Sequence, residues 1–412
     1  MLSTLKSKLA TLGPGLLMAT AAIGGSHLVA STQAGALFGW QLIWLILLVN
    51  ILKYPFFRFG VQYTLDNQQS LLQGYQQKGR GYFYSFIVLN LVAAVVNTAG
   101  VLLLTASLLH YALPWQVSVT LLCWLILAVC LMILLLGHYK ALDAAAKIIM
   151  LLLTITTVFA VIIAASNGAT APVDYVGPSP WQLAMLGFLV ALMGWMPAPI
   201  EISAISSLWL KAKLRQQPIS RQQGLFDFNL GYWVTASLAL VFVALGALVQ
   251  YGSDQPIALA GTAFAQQLIG MYSATIGAWT RPLVALIAFL CMFGTTLTVL
   301  DGYARSLNES FRLLGWQSSN SRISQPCWLV AQALCGMAVI LFFRSALGPM
   351  LTFAMTLAFL TTPVFAWLNF SLMRNNPTRP LKPLLVWWSW LGLAYLVGFA
   401  VLFLLWYSKL LS

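Results

Sequence analysis

PGLLMATAAIGGSHLVASTQAGALF, residues 14–38, and WQLAMLGFLVALMGWMPAPIEISAISSL, residues 181–208, are the two stretches that decide the fold. Each can cross a bilayer core about 30 Å thick, which takes about 20 apolar residues as a helix. Each also carries a breaker near its middle: Gly24-Gly25-Ser26-His27 in the first, and Met196-Pro197-Ala198-Pro199, just after Gly194, in the second. Proline removes a backbone donor and clashes with the preceding turn, so two prolines in four residues do not fit a continuous helix. Lipid cannot satisfy the carbonyls and amides released at such a break, so they must face protein or water. Either break alone reads equally well as a packing kink. The two together carry more weight.

The rest of the chain is apolar as well. Of its 412 residues, 60% are hydrophobic and only 7% charged, with a mean hydropathy of +0.87; soluble domains carry about 25% charged residues. Eleven spans are expected, at about 14–38, 40–60, 83–110, 115–136, 143–165, 181–208, 226–250, 282–308, 325–343, 347–372 and 384–408. The breaks fall in spans one and six, which cross in opposite directions. Matching breaks at odd spacing mark an inverted-topology repeat with a site at the midplane between the unwound segments. The expected fold is an all-α polytopic membrane protein of about 11 transmembrane helices, a five-plus-five inverted repeat with helices 1 and 6 broken. One domain, 1–412, would hold repeat one at about 12–166, repeat two at about 180–373 and an extra helix at about 384–408.

Twenty-one Lys and Arg against eight Asp and Glu give a formal charge of +13. In a soluble protein that would suggest nucleic acid. Counted along the eleven spans from a cytoplasmic N-terminus, however, eighteen basic residues, Lys53 and Arg58 among them, fall on one side and only Arg281, Arg344 and Lys409 on the other. The positive-inside rule accounts for that split without nucleic acid and implies an N-in, C-out chain. No small-residue cleavage site follows the first apolar stretch, so it is expected to stay as a span. The five cysteines form no CxxC pair and read as small hydrophobes. Segments 209–225 and 251–280 read as short polar connections, so no soluble domain and no obligate protein partner is expected. The chain lacks a Gly-rich Lys-Ser/Thr nucleotide loop. These features point away from an enzyme, a cofactor or an ATP-driven motor, and toward a protein of a bacterial inner membrane whose partner is the lipid bilayer.

The same residues resemble the Nramp family (natural resistance-associated macrophage protein) of divalent-metal transporters, of which the chain looks like a divergent member. Gly13-Pro14-Gly15, Ala22-Ile23-Gly24-Gly25-Ser26-His27, Gln33-Ala34-Gly35-Ala36 and Gly39-Trp40 are similar to that family's first span and its turn into the second. Met196-Pro197 is similar to its Met-Pro-His element, and Thr295-Thr296-Leu297-Thr298 lies where it has a Thr-rich turn. The resemblance extends over nearly the whole chain and implies a leucine-transporter-like fold. It also implies a metal site built from an Asp and an Asn in the first break and a Met and a carbonyl in the sixth span. Here the Asp position is Gly24, the Asn position His27 and the Met position Met196. The family's sixth-span histidines fall at Ala198 and Ser203, and its acidic third-span pair at Ala94 and Asn97.

What replaces the lost groups is Glu201, two residues beyond Pro199. An intramembrane carboxylate costs about 2.5–3.5 kcal/mol on insertion scales and should face a cavity or a partner. Near a helix N-terminus it also reads as a cap, stabilised by about 0.3–1 kcal/mol. His27 is either a hydrogen-bonded helix contact or a ligand or proton carrier, and Met196 either packs or ligates. Asp301 and Arg305, four apart, read first as a structural pair on one helix face, as do Asp143 and Lys147.

The leading expectation is a secondary transporter of a divalent metal of the Mn or Fe type, which a thioether and an imidazole suit. Its substrate site would comprise Gly24, His27, Met196, Pro197 and Glu201, with His27, Met196 and Glu201 on the metal. Asn97, Asp301 and Arg305 are the other intramembrane polar residues of interest. The alternative keeps the fold but carries a non-metal solute, a small carboxylate, anion or amino acid. A non-transporting membrane sensor is the remote third reading.

Overall fold

A computed structural model describes residues 13–137, 139–172, 174–253, 261–316, 324–343 and 346–410, with 139–147, 261–262 and 324 described by backbone alone. Lys6, Lys8, His138, Arg322 and Arg344, and the side chains of Lys140, Asp143 and Lys147, lie outside the described residues.

Span one bends by 49° at its Gly pair. Helix α1 (Pro14–Ala22) leads into a π-helical stretch (Ser26–Ser31) and then α2 (Thr32–Phe38). Span two is α3 (Ile43–Asn67) and a short α4 (Leu71–Lys78) follows it. Spans three, four and five are α5 (Arg80–Ala112), α6 (Val119–Leu135) and α7 (Tyr139–Asn167). Span six is split into α8 (Leu186–Trp195) and α9 (Ile202–Leu214). Span seven is α10 (Arg221–Val249), after which α11 (Gly261–Ile276) precedes span eight, α12 (Arg281–Leu313). Spans nine, ten and eleven are α13 (Ser324–Phe342), α14 (Leu347–Arg374) and α15 (Pro383–Tyr407).

Contacts in one half recur in the other with the roles exchanged, as an inverted repeat requires. The π-helical half of span one touches α8, and α1 touches α9, so the two broken spans run antiparallel side by side. Span seven packs on the second half of span one, and span two packs on the second half of span six. Span ten covers α8 as span five covers α1, while spans three and eight pack against each other through the centre. All the long helices are apolar enough to span a membrane except α6, which is shorter, and the two halves of span six.

Two expectations need correction. Segment 251–280 is more than a polar connection, since it contains α11. Its Phe264, Leu268, Ile269 and Tyr272 are buried, and this apolar face packs on α5, α7 and α12. Lys53 and Arg58 do not lie in a loop either. Both are inside α3, and Lys53 is 0% exposed. The charge asymmetry is therefore carried by fewer surface residues than a count along the sequence implies.

Where span seven crosses the second half of span one, the backbones touch. A Cβ on Gly35 would lie 2.0 Å from the Val243 carbonyl oxygen, and one on Gly246 would lie 2.2 Å from that of Thr32. Without a hydrophobic drive between helices in lipid, such small-residue contacts supply packing that larger side chains would block. Gly246→Ala is expected to destabilise the protein by about 1–3 kcal/mol through overpacking. Gly398→Ala, whose Cβ would meet nothing within 4 Å, should not lower stability; thermal unfolding in detergent, followed by tryptophan fluorescence, tests the contrast.

Candidate substrate site

The first break is held open by specific partners. The Gly24 carbonyl accepts from His27 N at 3.1 Å and Leu28 N at 2.9 Å, and Ser26 Oγ donates to the Ala22 carbonyl at 2.8 Å. From span eight, the Thr295 hydroxyl lies 3.1 Å from the Thr20 carbonyl and 3.2 Å from that of Ile23, with Cys291 Sγ 3.5 Å from the latter. A Cβ on Gly24 would sit 3.1 Å from Thr295 Cγ2 and 3.3 Å from Met292 Sδ. Gly24 thus permits the close approach of span eight, which brings the Thr295 hydroxyl to the released carbonyls. At the outset of span one, Asp227 of α10 accepts from Gly13 N at 3.1 Å and Gly15 N at 2.7 Å, capping α1.

The second break unwinds from Met196 to Pro199, with a cis Met196–Pro197 peptide. Lys53 of α3 ends there, its Nζ donating to the Met193 carbonyl at 2.6 Å and to the Gly194 carbonyl at 3.1 Å. Glu201 occupies the N-cap position of α9 but makes no side-chain capping bond, which corrects its reading as a cap. Its Oε1 instead accepts from Asn97 Nδ2 at 3.2 Å and from the Tyr303 hydroxyl at 3.0 Å. Asn97 Nδ2 also donates to the Tyr303 oxygen at 2.7 Å, and Asn97 Oδ1 accepts from Trp195 Nε1 at 3.0 Å. Spans three, six and eight meet in this cluster, and Glu201 Oε2 is buried in it without a hydrogen-bond partner. Lys53 and Glu201 are close enough for their charges to interact.

Between the breaks lies a small cavity with about 20 Å³ open to a water centre, enough for about one water. Its walls are Ala21, Ala22, Gly25 and Ser26 of span one, Asn97 and Val101 of span three, Trp195, Pro199 and Ile202 of span six, and Thr295, Val299 and Tyr303 of span eight. The two breaks approach at one point, where Ser26 Oγ is 3.5 Å from the Pro197 carbonyl oxygen.

The expected site residues are therefore only partly brought together. Gly24 and Pro197 belong to the facing breaks, and Glu201 anchors the cluster behind the cavity wall. His27 turns the other way: Nε2 donates to the Thr235 carbonyl of α10 at 2.8 Å, Nδ1 meets the Ser26 hydroxyl at 2.7 Å, and the ring edge faces Phe242. Met196 is fully buried in the packed core. His27, Met196 and Glu201 are not among the cavity walls, and no group of three His, Cys, Asp or Glu among the described residues could hold a metal ion. Asp301 and Arg305 form the i, i+4 pair their spacing suggests, with Arg305 Nε 2.8 and 2.7 Å from the two carboxylate oxygens. Trp209 Nε1 donates to Asp301 at 3.2 Å, so the pair ties span eight to span six.

Lys53, Trp195 and Tyr303 were not among the expected site residues. Lys53 carried a readable signal, a lysine ten residues into an apolar helix with no acid three or four positions away. Trp195 and Tyr303 carried none, because aromatic residues are common in every span.

Over 409 residues the chain is 56% identical to uncharacterized protein PM0681 of Pasteurella multocida (strain Pm70), covering 98% of this chain and 93% of that one. The chain belongs to the same family as this Pasteurella protein. No family model matches it. Among solved structures it resembles a manganese transporter of Eremococcus coleocola in complex with an aromatic bis-isothiourea substituted compound, with 13% identity, a TM-score of 0.69 and coverage of 97% of this chain and 86% of that one. The inward-facing conformation of Mhp1 is similar at 18% identity and a TM-score of 0.56, with coverage of 95% and 86% respectively. At such identities the likeness fixes the fold alone: the chain has a divergent Nramp-like, leucine-transporter-type architecture in an integral membrane protein.

The Thr295 hydroxyl supports the first break, whereas that of Thr298 bonds only to the Gly294 carbonyl of its own helix. Thr295→Val should cost about 1 kcal/mol, seen as a lower unfolding temperature, and Thr298→Val measurably less.

Proposed function

We propose that the protein is a secondary transporter carrying a small polar organic solute, a carboxylate or an amino-acid-like molecule, through the cavity between its two broken helices. The observation that carries this reading is the lining of that cavity. Its polar atoms belong to Ser26, Asn97, Trp195, Thr295 and Tyr303, and the remainder is Ala, Gly, Val, Ile and Pro. A largely apolar wall with a few placed hydrogen-bonding groups suits an organic molecule, for which the cavity, with room for about one water in this conformation, must widen. The N-terminal end of the second half of span one, at Gly25 and Ser26, borders the cavity, and half-helix N-termini of this kind favour anionic groups.

The wall suits a dication poorly. Gly24 stands where the resembling family has its Asp, and His27 is committed to Ser26 and Thr235. Glu201 Oε1 already accepts from Asn97 and Tyr303. One observation favours the second reading, a divalent metal of the Mn or Fe type: Glu201 Oε2 is a buried acceptor with no partner, which a cation would satisfy. In that reading His27 must release the Thr235 carbonyl and rotate to join Met196 and Glu201. The membrane would be a bacterial inner membrane with the N-terminus inside.

Calorimetric titration of the purified protein with Mn²⁺, Mg²⁺ and a panel of carboxylates and amino acids separates the two readings. Saturable binding of an organic solute with no response to metal is the expected outcome. Saturable Mn²⁺ binding that disappears in Glu201→Gln would replace the organic solute with the metal.

A further inference from the structure

Lys53 has no part in the cavity wall, yet it is a costly side chain to place in the membrane interior. It sits in the middle of α3, is 0% exposed and places an ammonium at the second break. A buried charge of this kind is rare within a membrane and marks a function or a specific partner. Its partners are the Met193 and Gly194 carbonyls, in the last turn of α8. Helix-terminal carbonyls carry the negative end of the helix dipole; that of Met193 also accepts from Met196 N at 3.4 Å. In inverted-repeat transporters, the carbonyl ends of half-helices and the unwound backbone beside them are where coupling cations bind.

We propose that Lys53 is a tethered cation: its ammonium takes, at the carbonyl end of α8, the place of a dissociable sodium or potassium ion, so the protein works without an alkali-metal ion. Three observations support the assignment. The Nζ to carbonyl distances, 2.6 and 3.1 Å, are those of direct hydrogen bonds, so the ammonium rather than an intervening ion meets these oxygens. Glu201, at the N-cap of the half-helix that follows the break, is close enough to Lys53 for the two groups to interact. The backbone at the break is also pinned, since a Cβ on Gly194 would lie 1.9 Å from the Met355 carbonyl oxygen of α14. The segment is therefore backed against α14 on one side and capped by the lysine on another. At the first break, the Thr295 hydroxyl is within reach of the Thr20 and Ile23 carbonyls, either of which it can donate to, and the Ser26 hydroxyl is within reach of that of Ala22.

The inference rests on the fold and not on the identity of the solute, so its test needs no substrate and can fail independently of the proposed function. Wild type and Lys53→Ala are purified in detergent, unfolded thermally in NaCl, KCl and choline chloride at equal ionic strength, and titrated with ²²Na⁺. Wild type is expected to unfold at one temperature in all three salts and to bind no ²²Na⁺ saturably. Lys53→Ala is expected to unfold several degrees lower in choline chloride and to regain part of that loss, saturably, in NaCl or KCl. A general structural role for the lysine would lower stability equally in every salt. A saturable sodium or potassium response in wild type overturns the proposal, as does a folded Lys53→Ala that is indifferent to the cation. If Lys53→Ala does not fold in any salt, Lys53→Arg decides: with charge and donors retained it must stay indifferent to the salt, and an alkali-cation response in it overturns the proposal.

Discussion

Breaking a helix inside a membrane releases backbone groups that no lipid can satisfy, and the rest of this structure is arranged around that constraint. At the first break, span eight supplies Thr295 and Cys291, and Ser26 bends back on Ala22. At the second, span two supplies Lys53. The proline inside α3, Pro55, poses the same problem on a smaller scale, since it cannot donate to the Ile51 carbonyl; Trp388 of span eleven donates to that oxygen at 2.9 Å. These three interruptions are thus each met by a donor from a different span, which makes those spans neighbours.

The polar cluster behind the cavity follows the same logic. Asn97 can bond to Glu201, Tyr303 and Trp195 at once because an amide has two donor hydrogens and an acceptor oxygen. That places spans three, six and eight in one register. Glu201 follows the second break and Lys53 bonds to carbonyls that precede it, close enough for the two groups to interact.

Compared with the family it resembles, the chain has lost the first-break carboxylate and the acidic pair of span three. The substitutions are structurally consistent with one another. Gly24 lets span eight approach, Asn97 takes a hydrogen-bonding role in place of a charged one, and His27 is absorbed into the contact with span seven. The cavity wall is largely apolar, and its polar groups are the Ser26, Thr295 and Tyr303 hydroxyls, the Asn97 amide and the Trp195 indole.

Much of this was legible in the sequence, because hydropathy and backbone breakers are local properties. The eleven spans, the two breaks and their opposite directions follow from runs of apolar residues, a Gly pair and a Pro pair. The Asp301–Arg305 pair follows from helical spacing alone. Which side chains meet could not be read that way. Lys53 and Met193 are 140 positions apart, His27 and Thr235 are 208 apart, and Glu201 reaches Asn97 and Tyr303 across more than 100 in each direction. Helix α11 was missed because it is short and its window is mixed in polarity. His27 and Glu201 both looked like residues facing one site, since both lie in or beside a break. Only the packing of span seven on one side and spans three and eight on the other turned them apart. The sequence by itself determined where the membrane helices run and where they must break; the tertiary structure alone decided what each released carbonyl and buried charge would find, because a hydrogen bond depends on which helices lie side by side.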